Sequence, residues 1–107
     1  MEKTIEYKDY LKESLKNPEE AAEYLNAALE EGDLSLFTLA LKDVVDALGG
    51  GVGPTAKKSH LNRESLYRML SKRGNPRLTS LKSVMTSLGL EVHITSKKGP
   101  PPNHSSI

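Results

Sequence analysis

The chain has 107 residues, no cysteine, no tryptophan and a formal net charge of only +1. A chain of this length can bury a modest core in one domain, but it leaves little room for a large substrate cleft. Without cysteine, disulfides and thiolate metal sites are excluded, which fits a reducing cytosol. The charged N-terminus has no apolar signal region, and no apolar stretch approaches the roughly 20 residues of a membrane span. We therefore expect a cytoplasmic protein without a signal peptide or membrane segment.

The charge is divided sharply between the two halves of the chain. Residues 1–50 carry 5 Lys/Arg and 12 Asp/Glu, a net charge of −7, whereas residues 51–107 carry 10 Lys/Arg and 2 Asp/Glu, a net charge of +8. Such a split suggests two surfaces with two kinds of partner. The basic half suits nucleic-acid phosphate, and the acidic half is free to bind a basic protein. The alternative for either half is that its charged residues simply lie on solvent-exposed helix faces and bind no partner.

Three helices are predicted before residue 50. The first opens at Tyr7 or Asp9 and carries Tyr10, Leu11 and Leu15. Asn17 caps the second, with proline at its first position and two acids facing the positive end of the helix dipole. Gly32 ends the second helix, and Asp33 caps the third. Apolar residues recur at helical spacing in the second and third helices: Ala21, Ala22, Leu25, Ala28, Leu29, Phe37, Leu41, Val44, Val45 and Leu48.

Three consecutive glycines, Gly49 to Gly51, then interrupt the helical pattern. They could form a phosphate cradle, but no GK[ST] motif follows them and no strand precedes them. A helix C-terminus that leads into a turn is the favoured interpretation.

The segment that follows has the pattern of a helix-turn-helix. A short helix restarts at Gly53-Pro54 and contains Ala56, whose small side chain lets two helices cross closely. The turn lies at His60–Leu61, and Asn62 caps the second helix. The turn position usually requires glycine because its backbone enters the left-handed region, which histidine tolerates at a cost.

The second helix of this pair divides into two faces. One face buries Leu66, Met69 and Leu70, while the other is polar and basic, as a helix that enters the DNA major groove requires. Arginine can bind guanine, and glutamate can accept a hydrogen bond from cytosine. Lysines 57 and 58 lie on the preceding helix, which usually crosses the DNA backbone. A helical hairpin in a protein-binding domain is the alternative. The predicted DNA-binding residues are Asn62, Arg63, Glu64, Tyr67, Arg68, Ser71, Lys72, Arg73, Asn75 and Arg77.

The C-terminal part is predicted to contain one more helix and a strand. The helix begins near residues 77–79, buries Leu78, Leu81, Val84, Met85 and Leu88, and stops at Gly89. Residues 90–95 alternate apolar and polar side chains, which predicts a short strand, whose partner could be the same strand of a second subunit. The proline-rich tail, residues 96–107, is predicted to be disordered.

No enzyme constellation is present in the sequence. The three histidines, His60, His93 and His104, have neither zinc-ligand spacing nor cysteine partners. The carboxylates cluster on helix faces that are expected to be solvated. We therefore expect a binding protein without catalytic activity, metal or cofactor.

Together these residues resemble the addiction-module antidote proteins, HigA-like antitoxins of the Xre family with a lambda-repressor-like helix-turn-helix. The resemblance covers about residues 7–92. In the basic half it is carried by NRESLYRMLS at 62–71, GNP at 74–76 and LTSL at 78–81. In the acidic half it is carried by YL at 10–11, NPEEAAEYLNAALEEGD at 17–33 and ALKDV at 40–44. The chain departs from the family pattern at His60, where glycine is usual, and at Gly53-Pro54, where a polar pair is more common.

The resemblance implies a small bacterial protein that neutralises a basic, RelE-like toxin by direct binding and represses its own operon by binding operator DNA. The expected fold is all-α, a five-helix lambda-repressor-like domain with an N-terminal helical extension and a short C-terminal strand. The expected organisation is a single helical domain over 1–95, with N-terminal helices at 7–31 and the helix-turn-helix domain at 34–88. Homodimers are expected, because two-fold operators mirror protein symmetry. The rivals are a solitary Xre-family regulator and a protein-interaction module without DNA binding.

Overall fold

In a computed structural model the chain forms six helices and no strand over residues 2–97, the part that the structure describes; side chains are described from Tyr7 onward. The helices are α1 (Glu2–Ser14), α2 (Pro18–Glu30), α3 (Leu34–Ala47), α4 (Val52–Ser59), α5 (Arg63–Met69) and α6 (Leu78–Ser87). The expected all-α class is confirmed. The six helices correspond to the three predicted before residue 50 and the three predicted after it.

The predicted helix starts are confirmed by hydrogen bonds from the capping side chains. Oδ1 of Asn17 accepts from the backbone N–H groups of Glu19 and Glu20 at 2.8 and 3.2 Å. Oδ1 of Asp33 accepts from the backbone N–H of Ser35 at 3.0 Å and from its hydroxyl at 2.8 Å. These bonds lower the pKa of Asp33, because they stabilise its ionised form. Each cap satisfies backbone donors that the first helical turn leaves without an internal partner.

The third helix is the centre of the fold. α3 packs against α1, α2 and α4, and α4 in turn packs against α5 and α6. The buried side chains of α3 follow its helical period and include one polar residue, Thr38, whose hydroxyl donates to the carbonyl of Ser35 at 3.1 Å. The packing of α3 on α4 thus links the three N-terminal helices to the three C-terminal ones. The core comprises Leu15, Ala21, Leu25, Phe37, Ala40, Leu41, Val44, Val45, Val52, Ala56, Leu66, Met69, Leu70, Val84, Met85 and Leu88.

The triple glycine is a helix-terminating turn, as the favoured interpretation predicted. The backbone N–H groups of Gly49 and Gly51 both donate to the carbonyl of Val45 at the end of α3. Gly50 and Gly51 have φ values of 78° and 115°, which residues with a side chain rarely adopt. Because the Gly49 and Gly51 amides are already bonded within the fold, the segment is not arranged as a phosphate cradle.

The strand predicted over residues 90–95 does not form. The backbone N–H of Leu90 donates to the carbonyl of Met85 at 2.8 Å, and Gly89 has a φ of 80°, so this segment closes the end of α6. The Leu90 side chain packs against the core, whereas Ile94 is 96% exposed. In the single chain the alternating pattern therefore reflects one anchoring residue and an exposed segment.

Two smaller expectations are also wrong. α1 begins at Glu2, earlier than the predicted Tyr7 or Asp9. Leu78, predicted to be buried, is 65% exposed, because it is the first residue of α6 and the helix packs through its later turns. Of the tail predicted to be disordered, residues 98–107 lie outside the described part.

Candidate nucleic-acid interface

The turn between α4 and α5 has the predicted geometry. His60 adopts the left-handed conformation, with φ 61° and ψ 33°, and is the one described residue other than glycine with positive φ. The next N–H, of Leu61, donates to the carbonyl of Ala56 at 3.0 Å and so closes α4. Oδ1 of Asn62 accepts from the N–H of Ser65 at 2.7 Å and starts α5. The two helices are therefore held at a fixed angle by bonds on both sides of the turn.

The two faces of α5 divide as the sequence predicted. Leu66 is completely buried, and Met69 and Leu70 are 7% and 4% exposed. On the opposite side Tyr67 is 50% exposed, and its neighbour Arg68 is also exposed. Packing against the core therefore fixes α5, while its other face presents polar and cationic groups to solvent.

All ten predicted DNA-binding residues are exposed. Asn62 and Ser71 also have structural roles: Asn62 caps α5, and the Ser71 hydroxyl donates to the carbonyl of Arg68 at 2.8 Å. The Arg63 side chain lies near the start of α4, where a Cβ placed at Gly53 would be 4.0 Å from its Nε. The glycine that departs from the family pattern thus stands beside the first arginine of α5.

Three arginines meet in a cleft that sequence spacing did not predict. Arg68 of α5, Arg73 of the following loop and Arg77 at the start of α6 line an open cleft of about 370 Å³. No acidic residue lines it, so its guanidinium groups make it a favourable place for an anion such as phosphate. We call this feature the arginine cleft; its other lining residues are Leu61, Ser65, Met69, Gly74, Asn75, Pro76 and Ser80.

The arginine cleft depends on a tight turn after α5. The Gly74 N–H donates to the carbonyl of Ser71 at 2.9 Å, and Gly74 is buried. A Cβ at this position would overlap the backbone carbonyls of Met69 and Arg68. The Gly-Asn-Pro sequence signalled a turn, but only the structure shows that the turn brings Arg77 back towards Arg68. Ser65 and Ser80, which the sequence analysis did not select, are brought to the same place.

The basic side chains around this surface are not neutralised by neighbouring acids. None of the eight Lys and Arg residues between positions 57 and 82 forms an ion pair with another described residue. Lysines 57 and 58 are exposed in the last turn of α4. The second acid of this half, Glu91, accepts from the ring of His93 at 2.8 Å. The basic half therefore offers its positive charge to a partner.

The described part of the chain contains neither a candidate metal cluster nor a candidate membrane-spanning helix. No group of three or more His, Asp or Glu side chains there could hold a metal ion. No helix among residues 2–97 is both long and apolar enough to cross a membrane. His104 lies outside the described residues.

The fold and this surface define a small all-helical protein whose exposed chemistry is suited to binding macromolecules. The chain belongs to the family described as "Probable addiction module antidote protein", whose model matches residues 4–96. It is therefore an antidote protein of an addiction module, and members of this family are typically non-enzymatic. A relative in Haemophilus influenzae, strain KW20 / Rd, is 32% identical over 96 residues, covering 89% of this chain and 97% of the relative, and is described only as an uncharacterized protein. A search of solved structures found no match to this chain.

Proposed function

We propose that this antidote protein neutralises a basic, RelE-like toxin by direct binding and represses its own operon by sequence-specific binding to operator DNA through α5. The observation that carries the DNA-binding part is the exposed face of α5. A buried leucine anchors the helix, and Tyr67 and Arg68 project from its opposite side. A helix held in this way can enter a major groove without losing its own packing.

Different residues serve base recognition and phosphate binding in this proposal. Arg63, Glu64, Tyr67 and Arg68 face the bases, because they lie in the first turns of α5. Arg73 and Arg77 in the arginine cleft, with the lysines of α4, bind the DNA backbone. Phosphate contacts of this kind fix the register of a protein on DNA, whereas base contacts give specificity. Two copies are needed to read a two-fold operator, so the active species is a homodimer.

The test is a binding titration against the DNA upstream of the gene and a scrambled fragment of equal length, at several salt concentrations. Arg68→Ala should lose about 1–3 kcal/mol on the upstream DNA and relax specificity at one base position. Arg77→Ala should weaken both DNAs alike and reduce the salt slope by about one unit. Lys16→Ala, which removes one positive charge from the acidic half, is the control and should bind as the parent does.

Each rival function predicts a different result. A protein-interaction module without DNA binding gives no salt-dependent shift with the upstream DNA. If Arg68→Ala binds both fragments as the parent does, α5 is not the recognition helix. A solitary regulator would lack a toxin gene beside its own. Membership of an antidote family favours the antitoxin over that rival.

A further inference from the structure

An apolar groove runs between α2 and α3, and none of its lining residues belongs to the basic half. Its residues recur at helical spacing on both helices, so each helix contributes one continuous face. The groove has a volume of about 260 Å³. We call it the α2–α3 groove; its lining residues are Tyr24, Ala27, Ala28, Glu31, Leu36, Leu39 and Ala40.

The groove exposes apolar groups that the core does not use. Leu36 and Leu39 are 41% and 58% exposed, and they lie one turn apart on α3. Alanines of both helices also line the groove, beside Tyr24 and Glu31, and their small methyl groups leave room for side chains of a partner. Contiguous exposed apolar surface of this kind is characteristic of binding sites.

One end of the groove is fixed by a hydrogen bond between the two helices. The Tyr24 hydroxyl donates to Oδ2 of Asp43 at 2.6 Å, and both residues are partly buried. Burial, together with this hydrogen bond, raises the pKa of Tyr24 above its ordinary value, so the hydroxyl remains a donor at neutral pH. The spacing of α2 and α3 is therefore set before any partner binds.

The negative charge of the acidic half belongs to these two helices and not to α1. Residues 1–16 contain four Lys and four Asp/Glu, whereas residues 17–48 contain one Lys and eight Asp/Glu, a net charge of −7. A second copy docked at the same groove would place two such surfaces against each other, and like charges that meet in an interface oppose association. The surface therefore favours a partner with a basic face.

We propose that the α2–α3 groove is the docking site for the toxin, and that it receives an apolar row of toxin side chains flanked by Lys and Arg. The apolar row contacts Leu36, Leu39 and the alanines, while the flanking cations face the acids of α2 and α3. The inference rests on the proposed function, because it requires a basic toxin partner. It assigns α1 a structural role, because α1 packs on α3 and its Leu11 packs against the core.

Truncation cannot test the docking site. Removing residues 1–31 would delete Leu15, Ala21 and Leu25 from the core, so loss of neutralisation would follow from unfolding. Point substitutions at exposed positions avoid this difficulty. Leu39→Lys places a cation in the groove, and Leu29→Lys is the matched control, because Leu29 is 56% exposed on α2 and lies outside the groove.

The experiment uses the full chain and the toxin encoded by the neighbouring reading frame. Binding is measured by calorimetry, neutralisation by growth rescue, and the fold of each variant by thermal unfolding. Leu39→Lys should weaken binding by about ten-fold or more, the loss expected at a central interface position. Ala27→Arg blocks the groove from α2 at an exposed helical position, where arginine is a good helix former, and should weaken binding similarly. Leu29→Lys should bind within about two-fold of the parent.

The outcomes separate this inference from the proposed function. If the parent chain itself fails to bind the toxin, the proposed function fails. If the parent binds and both groove variants, folded as the parent, bind equally well, the docking site lies elsewhere. If Leu39→Lys instead shifts the free chain from dimer to monomer in sedimentation while toxin binding is unchanged, the groove is a self-association surface and the inference is overturned.

Discussion

Replacing His60 with glycine should stabilise the protein. His60 holds φ at 61° in the turn between α4 and α5, a conformation that costs a residue with a Cβ about 1–2 kcal/mol. Its side chain is exposed, so little packing is lost on substitution. Glycine also gives the unfolded chain more conformational freedom, which stabilises the unfolded state and offsets about 0.4–1 kcal/mol of the relieved strain. The net gain in the free energy of unfolding is therefore about 0.5–1 kcal/mol.

Thermal and urea unfolding of the full chain measure this gain. For a domain of this size the midpoint should rise by roughly 3–6 °C. His60→Ala is the matched control, because alanine retains the Cβ and with it the cost of the left-handed conformation. It should therefore unfold within about 0.5 kcal/mol of the parent. Equal midpoints for the glycine and alanine variants would refute the reasoning, since they would show that the turn stores no strain that glycine relieves.

Two further predictions concern packing and pH. Tyr24→Phe should cost about 1 kcal/mol by removing the hydrogen bond to Asp43. The substitution should also reduce the loss of stability that occurs above about pH 10. Because the pKa of Tyr24 is higher in the folded chain than in the unfolded chain, the protonated hydroxyl stabilises the fold at pH values below the unfolded-state pKa. This stabilisation is lost as the pH rises and Tyr24 ionises. A parallel alkaline decline in both proteins, followed by circular dichroism, would contradict this. Gly74→Ala should lower the free energy of unfolding by about 1–3 kcal/mol, because the added methyl group would overlap the backbone carbonyl of Met69. Gly53→Ala has space for the methyl group within α4 and should be neutral or stabilising by up to about 1 kcal/mol. Urea titrations that rank the two variants the other way would exclude this explanation.

The sequence predicted best those features that a few adjacent residues decide. Asn17, Asp33 and Asn62 cap their helices as predicted, and His60 is left-handed, because each of these states depends on hydrogen bonds or sterics within one turn of backbone. The buried face of α5 was also predicted correctly. Its apolar residues recur at helical spacing, and a short amphipathic helix has only one face to bury.

Prediction failed where a local pattern depended on distant partners. The alternation over residues 90–95 resembles a strand, but a strand requires a neighbour for its backbone, and the Leu90 N–H instead bonds to Met85 at the end of α6. Leu78 fits the apolar period of its helix and is nevertheless exposed, because periodicity does not reveal how far along a helix the core extends.

The candidate binding surfaces divide in the same way. Composition alone placed the basic residues in one half and the acidic residues in the other, because charge is additive along the chain. Only the tertiary structure brings Arg68, Arg73 and Arg77 into one cleft, since the buried Gly74 turn directs the chain back from α5 to α6. Likewise, only the packing of α2 on α3, fixed in part by Tyr24 and Asp43, turns two separate apolar stripes into one groove. Such surfaces join residues of different helices, and their geometry is set by the core beneath them.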